Sequence, residues 1–356
     1  MYEFSFPTKV IFGTGVIKNI GKEIHKFCNK LPSPLMIVTV KEKWNEEFIK
    51  NIRMKLKEAG FKKVDIFRGV KPDPTIECLE EGIKFCKLSN SKGIIAFGGG
   101  SSMDTAKVIA KEANINFLLT IPTTAGTGGE ISPWAVITNE KTQEKESFVA
   151  KFPDMALLDP CLTVSMPPKV TLFTGIDAFS HALESYLSKS AFSLTDALSL
   201  EAIQLIKKNL LSATREGKNL LVRSNMLEGS LLAGMAMLYS GLGLIHAIAH
   251  PVGGLYHSSG LAHGFIIAHL LQNVTEYNRP SNLVKYQEIS DSLKAMKEII
   301  DEELFLKLGM PKIKVKEKDI PLLAKRSADN VNVLTNPRDF TLNDIEDIIR
   351  NSFKVV

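Results

Sequence analysis

The first half of the chain alternates short apolar segments with longer amphipathic ones, and this alternation constrains the fold more than any other feature. "LMIVTV" at 35–40 and "GIIAFGGG" at 93–100 have the composition of buried strands, and "WNEEFIKNIRMKLKEAG" has helical spacing up to Gly60. Short apolar strands that alternate with helices are typical of a parallel sheet covered on both faces. The sequence therefore predicts an α/β domain at the start of the chain.

The strand pattern stops near Thr171, and long helical patterns such as "SLTDALSLEAIQLIKKNLLSATRE" replace it. Pro167 and Pro168 mark the break, because proline continues neither a helix nor a central strand. A chain of 356 residues is long enough for two domains of ordinary size. We therefore expect an α/β domain over residues 1–170 and an all-helical domain over residues 171–356.

The charge and cysteine content exclude several classes of partner. The 44 Lys and Arg residues and 39 Asp and Glu residues are spread along the chain, so the net charge of +5 forms no basic arm for nucleic acid. The four cysteines have no CxxC or metal-type spacing, which is typical of free thiols in a reducing compartment. The first residues do not follow the pattern of a signal peptide. We expect a cytoplasmic protein.

From Gly229 to Thr275 the chain contains no Asp, Glu, Lys or Arg, yet it holds several histidines. Roughly 20 apolar residues suffice to cross a bilayer, so a membrane span is one interpretation. Ser, Gly, His and Pro interrupt the stretch, however, and buried polar groups are costly in lipid. The pattern favours core helices that pass a buried site, and no membrane partner is expected.

Two pairs of potential metal ligands have a spacing of four residues, which places each pair on one face of a helix. Asp177 and His181 form the first pair, and His246 and His250 form the second. A single pair is commonly structural, but two pairs followed by His263 indicate a metal site. A mixed carboxylate and imidazole set suits Fe²⁺ or Zn²⁺ and does not choose between them.

"AFGGGSSMDTAK" at 96–107 carries the strongest phosphate-binding signal. An apolar strand leads into three glycines and then into a helical pattern that begins near Ser102. Bare backbone amides and a helix N-terminus can approach a pyrophosphate closely. A simple turn would also explain the glycines, and Asp104 could cap the helix instead of serving the ligand.

A second polar loop, "LLTIPTTAGTGGE" at 118–130, combines threonine hydroxyls with three glycines after another apolar strand. Together these groups suit a nucleotide, although a polar hairpin is the alternative. Ligands of open α/β sheets bind at the carboxyl ends of the strands. Two such loops after successive strands therefore strengthen the prediction of a nucleotide site.

The order and spacing of these segments resemble the iron-containing (group III) alcohol dehydrogenases, within the wider dehydroquinate synthase-like superfamily. The similarity runs nearly end to end. The resemblance implies an N-terminal Rossmann-like parallel-sheet nucleotide domain and a C-terminal helical metal-binding domain. It also implies hydride transfer between a small primary alcohol or diol and NADP or NAD, in a homodimer or larger homo-oligomer. The motifs that carry it are "FPTKVIFGTG", "GGGSSMDTAK", "IPTTAGTGGE", "MPPKVTLFTGIDAFSHALESY", "HAIAHPVGG", "AHG" and "TNPRDFT".

The resemblance also assigns roles to single residues. In many relatives the last ligand follows the HxxxH pair by a shorter gap, so His257 remains an alternative to His263, and Gly264 favours His263. His250 corresponds to an active-site histidine near the nicotinamide and is the expected proton relay. The metal ligands correspond to Asp177, His181, His246 and His263, and the cofactor contacts to Gly99, Gly100, Ser101, Asp104, Thr123, Thr124 and Thr127.

The sequence leaves alternatives open for the cofactor, NAD or NADP, and for the class of protein. Relatives that prefer NAD often have an Asp directly after the "IVT" strand, whereas this chain has Val40 followed by Lys41 and Lys43, which favours NADP. The alternatives are a dehydroquinate synthase-like or glycerol dehydrogenase-like metalloenzyme of the same fold, or a nucleotide sensor without enzymatic activity. A dehydroquinate synthase-like lyase would need a basic pocket, and a sensor would have little use for the complete Asp and His set.

Overall fold

The computed structural model describes residues 4–356, and they divide into two compact units. The first unit holds the described residues up to Thr142, together with Glu146–Met166 and Lys218–Leu227. The second unit holds Gln143–Lys145, Pro167–Gly217 and Glu228–Val356.

A six-stranded sheet forms the centre of the first unit, with strand order β1-β8-β5-β4-β2-β3 and parallel pairing between neighbours. Two further strands, β6 and β7, pair with each other in a separate small sheet. The strands of this part of the chain are β1 (Lys9–Phe12), β2 (Leu35–Val40), β3 (Val64–Val70), β4 (Gly93–Gly98), β5 (Phe117–Pro122), β6 (Trp134–Asn139), β7 (Glu144–Val149) and β8 (Met155–Leu158).

Helices cover both faces of the six-stranded sheet, because successive residues of each strand point to opposite faces. Leu35 and Ile37 of β2 join the core on one face, and Met36 and Val38 join the core on the other. The predicted parallel α/β sheet is confirmed. The helices are α1 (Ile20–Phe27) and α2 (Glu46–Glu58) on the first face, and α3 (Ile76–Leu88) and α4 (Gly100–Glu112) on the second.

Helices dominate the remainder of the chain, as predicted. The first begins at Pro168, since proline fits the first turn of a helix, where its missing N–H has no partner to lose. Two strands of two residues, β9 (Lys314–Val315) and β10 (Lys354–Val355), pair in parallel and are too short for a periodic pattern to predict. The helices are α5 (Pro168–Leu187), α6 (Ser193–Arg215), α7 (Leu220–Ser240), α8 (Leu244–Leu255), α9 (His263–Asn278), α10 (Leu283–Ile299), which a π-helix (Ile300–Lys307) continues, α11 (Ile320–Ala328) and α12 (Leu342–Ser352).

The charge-free stretch forms the end of α7, all of α8 and most of α9. Over residues 4–356, no single helix is long and apolar enough to cross a membrane, although α7 and α8 pass that test as a pair bent by 101°. Nearly all of α8 is buried, including His246 and His250. Apolar burial therefore accounts for the absence of charged residues on this helix.

Candidate functional site

Helix α5 presents three buried ionisable side chains along one face. Asp177, His181 and Glu184 follow one another at spacings of four and three residues, and each is less than a tenth exposed. Residues at such spacings are neighbours on a helix surface. One face of α5 therefore brings two carboxylates and an imidazole into the interior of the second unit.

Helix α8 places His246 in its first turn, and remote side chains fix the start of this helix. The backbone N–H of Leu244 donates to Asn336 Oδ1 at 3.1 Å, and that of Ile245 donates to Glu184 Oε1 at 2.7 Å. A Cβ at Gly243 would lie 2.8 Å from Asn336 Oδ1 and 2.9 Å from Glu184 Oε1. Glycine at this position allows both side chains to cap the helix, since the first N–H groups lack partners within it.

Glu184 also binds His246 directly. Its Oε2 lies 2.6 Å from His246 Nδ1, so Nδ1 donates to the carboxylate and Nε2 is left to act as a ligand. Glu184 thus joins the start of α8 to the orientation of the His246 ring. We did not predict this residue or Asn336 as part of the site. The spacing in "DAFSHALE" and the motif "TNPRDFT" were the available signals.

The Nε2 atoms of three histidines surround Asp177 Oδ1. The distances are 3.7 Å to His181, 3.5 Å to His246 and 3.8 Å to His263. Metal–ligand bonds of about 2.0–2.2 Å in a tetrahedral site separate the ligand atoms by roughly 3.4 Å. The distances of the three Nε2 atoms from Asp177 Oδ1 are thus close to the separation between ligands of a single metal ion.

Unsatisfied polar atoms at the centre of this cluster are the test of whether a metal fits. Asp177 Oδ1 and His246 Nε2 are buried and have no hydrogen-bond partner among residues 4–356. Buried polar atoms are normally satisfied, so atoms left without a partner call for an ion or other ligand. The donors of Asp177, His181 and His246 lie within 4.8 Å of one another, and they suit a divalent first-row metal.

His263 begins α9, which packs closely against α5. A Cβ at Gly264 would lie 2.0 Å from the carbonyl oxygen of Phe173, so the two backbones can approach only with glycine at this position. This contact brings His263 to Asp177, and its side chain remains 26% exposed. His257 lies in the 3₁₀ turn His257–Ser259 that precedes α9.

His250 lies one turn beyond His246 on α8. Its ring centroid is 6.2 Å from that of His246 and 5.3 Å from that of His263. Burial, and then the neighbouring histidines and Lys145, lower the pKa of His250 well below its ordinary value. The imidazole of His250 is therefore neutral near pH 7.

In the metal-free cluster, the surrounding charges favour a second ring proton on His246, which makes its imidazole positively charged. Burial raises the pKa of Asp177, but the surrounding histidines, His181 foremost, lower it to a net value below its usual range. Burial lowers the pKa of His246, but the negative charges of the Asp177 and Glu184 carboxylates outweigh it and raise the pKa to about 9. Burial lowers the pKa of His263 to about 3. Without a metal, the cluster thus holds a proton close to where a cation would bind.

In the first unit, the two loops predicted to bind the nucleotide contact each other. The N–H of Thr123 donates to the carbonyl of Gly98 at 2.9 Å. A Cβ on Gly99 would lie 3.2 Å from the Thr124 side chain, and one on Gly100 would lie 2.8 Å from Thr127 Cγ2. Helix α4 begins at Gly100, two residues earlier than predicted. The glycine and threonine loops therefore form one half-exposed surface at the N-terminus of α4.

Ser101 and Asp104, the two remaining residues predicted to contact the cofactor, differ in the groups that they contact. Ser101 is half-buried in the first turn of α4, and its carbonyl accepts from Thr105 Oγ1 at 2.8 Å. Asp104 accepts from the Val136 N–H at 3.2 Å and lies 3.5 Å from the Lys107 ammonium. Ser101 thus lies with the glycines, whereas the contacts of Asp104 join α4 to β6.

Comparisons with known proteins agree with this architecture. Family models match residues 7–160 (iron-containing alcohol dehydrogenase) and residues 171–353 (the C-terminal domain of the Fe-containing alcohol dehydrogenase family). The chain is 34% identical to the NAD-dependent methanol dehydrogenase of Bacillus methanolicus, over 99% of this chain and 100% of that protein. It is 32% identical to the 1,3-propanediol dehydrogenase of Klebsiella pneumoniae, over 99% of each chain.

A solved structure supports the same relationship. The crystal structure of a 1,3-propanediol oxidoreductase superimposes with a TM-score of 0.89 at 31% identity, and covers 99% of this chain and 100% of that one. The similarity therefore extends over both the parallel sheet and the helical part. Together with the matching family models, it shows that the chain belongs to the iron-containing alcohol dehydrogenase family.

Proposed function

We propose that Asp177, His181, His246 and His263 hold a divalent iron or zinc ion in this metal-dependent alcohol oxidoreductase. The observation that carries the proposal is the position of Asp177 Oδ1, which lies 3.5–3.8 Å from three Nε2 atoms and has no hydrogen-bond partner among the described residues. We choose His263 over His257 as the fourth ligand because the contact between α9 and α5 directs His263 towards Asp177.

When bound, the metal supplies Lewis acidity to the substrate oxygen, and the nicotinamide supplies or accepts the hydride. Asp177 provides the negative charge that offsets part of the positive charge of a cation. Glu184 keeps the proton of His246 on Nδ1, which leaves Nε2 as a ligand. These residues orient and balance the site, and the chemistry of hydride transfer belongs to the cofactor.

His250 is proposed to relay the hydroxyl proton. A neutral imidazole accepts a proton on one nitrogen and donates from the other, so it can pass a proton on without retaining charge. The lowered pKa of His250 supports this state near pH 7. Its Nδ1 is buried without a hydrogen-bond partner among residues 4–356, so one nitrogen is not committed to structure.

We propose that the glycine and threonine loops bind the cofactor in a nucleotide domain that comprises residues 1–170. The α4 N-terminus and the surface formed by Gly99, Gly100 and Ser101 suit a pyrophosphate. Val40 ends β2, which lies beside β4 in the parallel sheet, and Lys41 and Lys43 are exposed just beyond it. Cations at this sheet edge favour the 2′-phosphate of NADP over NAD. Thr123, Thr124, Thr127 and Asp104 complete the proposed set.

The proposed substrate is a small primary alcohol or diol, or the corresponding aldehyde. The methanol and 1,3-propanediol dehydrogenases named above support this size class. The helical domain over residues 171–356 supplies the metal site, and a homodimer or larger homo-oligomer in the cytoplasm is part of the same proposal.

The test compares the wild-type protein with His246→Ala after anaerobic loading with Fe²⁺ or Zn²⁺. Each protein is assayed with a panel of short alcohols and aldehydes, with both NAD(H) and NADP(H), and its metal content is measured. We expect turnover by the loaded wild-type protein only, and about one metal ion per chain lost in the variant. Turnover by metal-free protein would contradict the proposal, and metal binding without turnover of any substrate would favour a nucleotide sensor.

A further inference from the structure

A cavity of about 800 Å³ lies in the second unit, between α9 and α10. Its volume is within the range of pockets that hold small molecules in proteins. Its lining includes none of the four proposed metal ligands and does not include His250. The residues that line it come mainly from α9, α10, the π-helix that continues α10, and α12. The α9–α10 cavity is therefore a feature separate from the metal cluster.

Helix α10 turns one face towards the cavity. Residues three or four positions apart are neighbours on a helix surface. The α10 residues with this spacing that line the cavity include Tyr286, Ser290, Lys294 and Lys297. The π-helix that follows adds the apolar side chains of Ile300 and Phe305 to the lining. Such π-helical segments are rare in proteins and are frequently found at functional sites.

His269 is a buried residue of the cavity wall whose two nitrogens are committed to structure. Its Nδ1 donates to the carbonyl of Phe265 at 2.9 Å, and its Nε2 accepts from the Ile313 N–H at 3.2 Å. Because an acceptor nitrogen carries no proton, the ring is neutral in this arrangement. Burial lowers the pKa of His269, which favours the same state near pH 7. The bond to Ile313 also fixes the backbone beside Lys312, another lining residue.

Tyr286 gives the cavity a hydrogen-bond donor that lacks an acceptor. This residue lines the cavity and is only 5% exposed, and its hydroxyl has no hydrogen-bond partner among residues 4–356. Buried tyrosine hydroxyls usually have a partner, so this one calls for a ligand. Burial, and then the negative charges of Glu184 and Glu276, raise the pKa of Tyr286 above its ordinary value. The hydroxyl therefore keeps its proton and remains a donor.

Positive charge exceeds negative charge around the cavity. Two ion pairs occupy part of its rim, namely Lys297 with Asp301 at 2.6 Å and Arg279 with Glu276 at 3.6 Å. Lys294 and Lys312 also line the cavity, and both are exposed. Neither of these two lysines forms an ion pair within the described part of the chain, residues 4–356. The rim thus carries two ammonium groups that no carboxylate balances.

We propose that the α9–α10 cavity is a second binding site, which takes a small organic anion with an apolar body. The carboxylate or phosphate oxygen of this anion accepts from the Tyr286 hydroxyl, since charged oxygens are the stronger acceptors. The lysines of the rim attract the anion from solution. The lining side chains of Leu271, Ile300 and Phe305 suit the apolar body. This inference does not depend on the proposed reaction.

The experiment measures binding to the metal-loaded enzyme by isothermal titration calorimetry. Three probes share a phenylmethyl body, and phenylacetate and benzyl phosphate carry an anion whereas phenylacetamide does not. Each probe is titrated into the wild-type protein, Tyr286→Phe and Lys294→Gln. The matched controls are Tyr277→Phe and Lys318→Gln. The Tyr277 hydroxyl donates to the carbonyl of Asp339, Lys318 is exposed, and neither residue lines the cavity.

We expect about one anion to bind per chain, about tenfold more tightly than phenylacetamide. Tyr286→Phe should weaken anion binding about ten- to a hundredfold, because it removes a hydrogen bond to a charged group. Lys294→Gln should weaken it about two- to fivefold, mostly at low salt, because an exposed charge is screened. Both controls should match the wild type. Tyr286→Phe should not lower the Tm, since the hydroxyl has no partner in the fold to lose.

Titration of His246→Ala distinguishes the cavity from the metal cluster, where an anion can also bind. Anion binding should persist in this variant, because His246 does not line the cavity. Loss of anion binding in His246→Ala would place the anion on the metal and overturn the inference. Turnover of alcohols is measured separately with the wild-type protein, so that failure of the proposed function is not mistaken for failure of this inference.

Three further results would overturn the inference. Equal affinity for phenylacetamide and for the anions would remove the role of charge, and unchanged anion binding in Tyr286→Phe would remove the role of the buried hydroxyl. Absence of binding by both anions would show that the cavity is not an anion site. Binding of either anion with the expected losses supports the inference, and the tighter of the two identifies the charged group that the cavity prefers.

Discussion

The metal cluster and the nucleotide loops have opposite properties that suit them to bind a ligand. The cluster consists of side chains that are buried except for the partly exposed His263, and two of its donor atoms, on Asp177 and His246, have no partner among the described residues. The loops consist of half-exposed backbone at Gly99 and Gly100, where the absence of side chains is the essential property. The cluster depends on atoms that are present, and the loops depend on space that is left open.

This difference predicts two kinds of sensitivity to substitution. In the cluster, even an isosteric change of one atom removes a charge or a donor, because the surrounding interior offers no replacement. In the loops, removal of a hydroxyl costs one of several hydrogen bonds, whereas an added methyl group keeps the ligand at a distance.

Asp177→Asn tests the cluster most severely. The amide keeps the shape of the side chain but removes the negative charge at the point where three imidazoles converge. We expect metal affinity to fall by more than the roughly 10–100-fold expected for a residue that only orients a ligand, and turnover to fall to that of metal-free protein. Metal content by mass spectrometry and steady-state rates measure both effects.

The control for that variant is Asp196→Asn in the same unit. Asp196 pairs with Lys285 at 2.6 Å, and both side chains are partly exposed, so this change should cost at most about 1 kcal/mol of stability. Metal content and turnover should stay at wild-type levels. A comparable loss of metal in both variants would show that any buried or half-buried carboxylate of the unit matters, and the distinct role of Asp177 would be lost.

Glu184→Gln tests how much the orientation of the His246 ring by Glu184 contributes to metal binding. The glutamine side chain can still accept from the Ile245 N–H, but its NH₂ group cannot accept the proton of His246 Nδ1. We expect metal affinity to fall about 10–100-fold, and turnover to recover at high metal concentration. Competition with a chromophoric chelator measures the affinity.

Glu288→Gln is the matched control, because Glu288 lies on α10 and accepts from the Tyr186 hydroxyl, a bond that a glutamine oxygen can still accept. Its metal affinity should equal that of the wild type. Unchanged metal affinity in Glu184→Gln would mean that the caps of α8 at Leu244 and Ile245 position His246 without the carboxylate bond to its ring.

Patterns along the sequence predicted the sheet and much of the cluster for the same reason. Apolar runs such as β2 and β4 indicate strands that are buried on both faces. The spacing of Asp177 and His181 indicates that the two side chains share one face of a helix. Each of these patterns involves only residues that are close together in the sequence. Glu184 escaped notice because a carboxylate at the next turn of a helix is usually solvated. Its role depends on α8, which follows some 60 residues later.

The contacts that required the structure are all close approaches between distant segments. Gly264 matters because the carbonyl of Phe173 occupies the space of its Cβ, and Gly253 and Gly254 matter because β7 begins there. A glycine in a sequence indicates freedom of the backbone but not the neighbour that uses it. Asp104 is a related case, since its bond to Val136 links α4 to a strand that the sequence analysis did not identify.

Gly100→Ala tests the importance of open space in the nucleotide loops. The new Cβ would lie 2.8 Å from Thr127 Cγ2, so the threonine must shift, and the methyl group also occupies the approach to the helix N-terminus. We expect the KM for the cofactor to rise about tenfold, or ~1.4 kcal/mol, with metal content unchanged. The double variant with Thr127→Ser lacks Cγ2 and should recover stability. If it also recovers the cofactor KM, contact with Thr127 is the cause, and the importance of open space is contradicted.

The smallest expected effect on the metal-loaded enzyme is a pH dependence of stability that arises from the cluster and appears only in metal-free protein. Burial lowers the pKa of His246, but the negative charges of the Asp177 and Glu184 carboxylates outweigh burial and raise the pKa to about 9, above the ordinary value of 6.5. A raised pKa in the folded protein stabilises it fully below about pH 6.5, and this contribution disappears as the pH rises through 9. The lowered pKa values of His250 and His263 affect stability only as the pH falls below 6.5, so they do not interfere.

The free energy of unfolding of metal-free protein should therefore decline between pH 6.5 and 9 relative to that of His246→Asn. Urea denaturation at several pH values, with both proteins stripped of metal, measures the difference. In metal-loaded protein the decline should vanish, because the bound ion replaces the proton on His246 and metal ligands must be deprotonated. Parallel curves for the two metal-free proteins would show that His246 carries no extra proton. The cluster would then resemble the loops, because no positive charge would occupy the position of the ligand before the ligand binds.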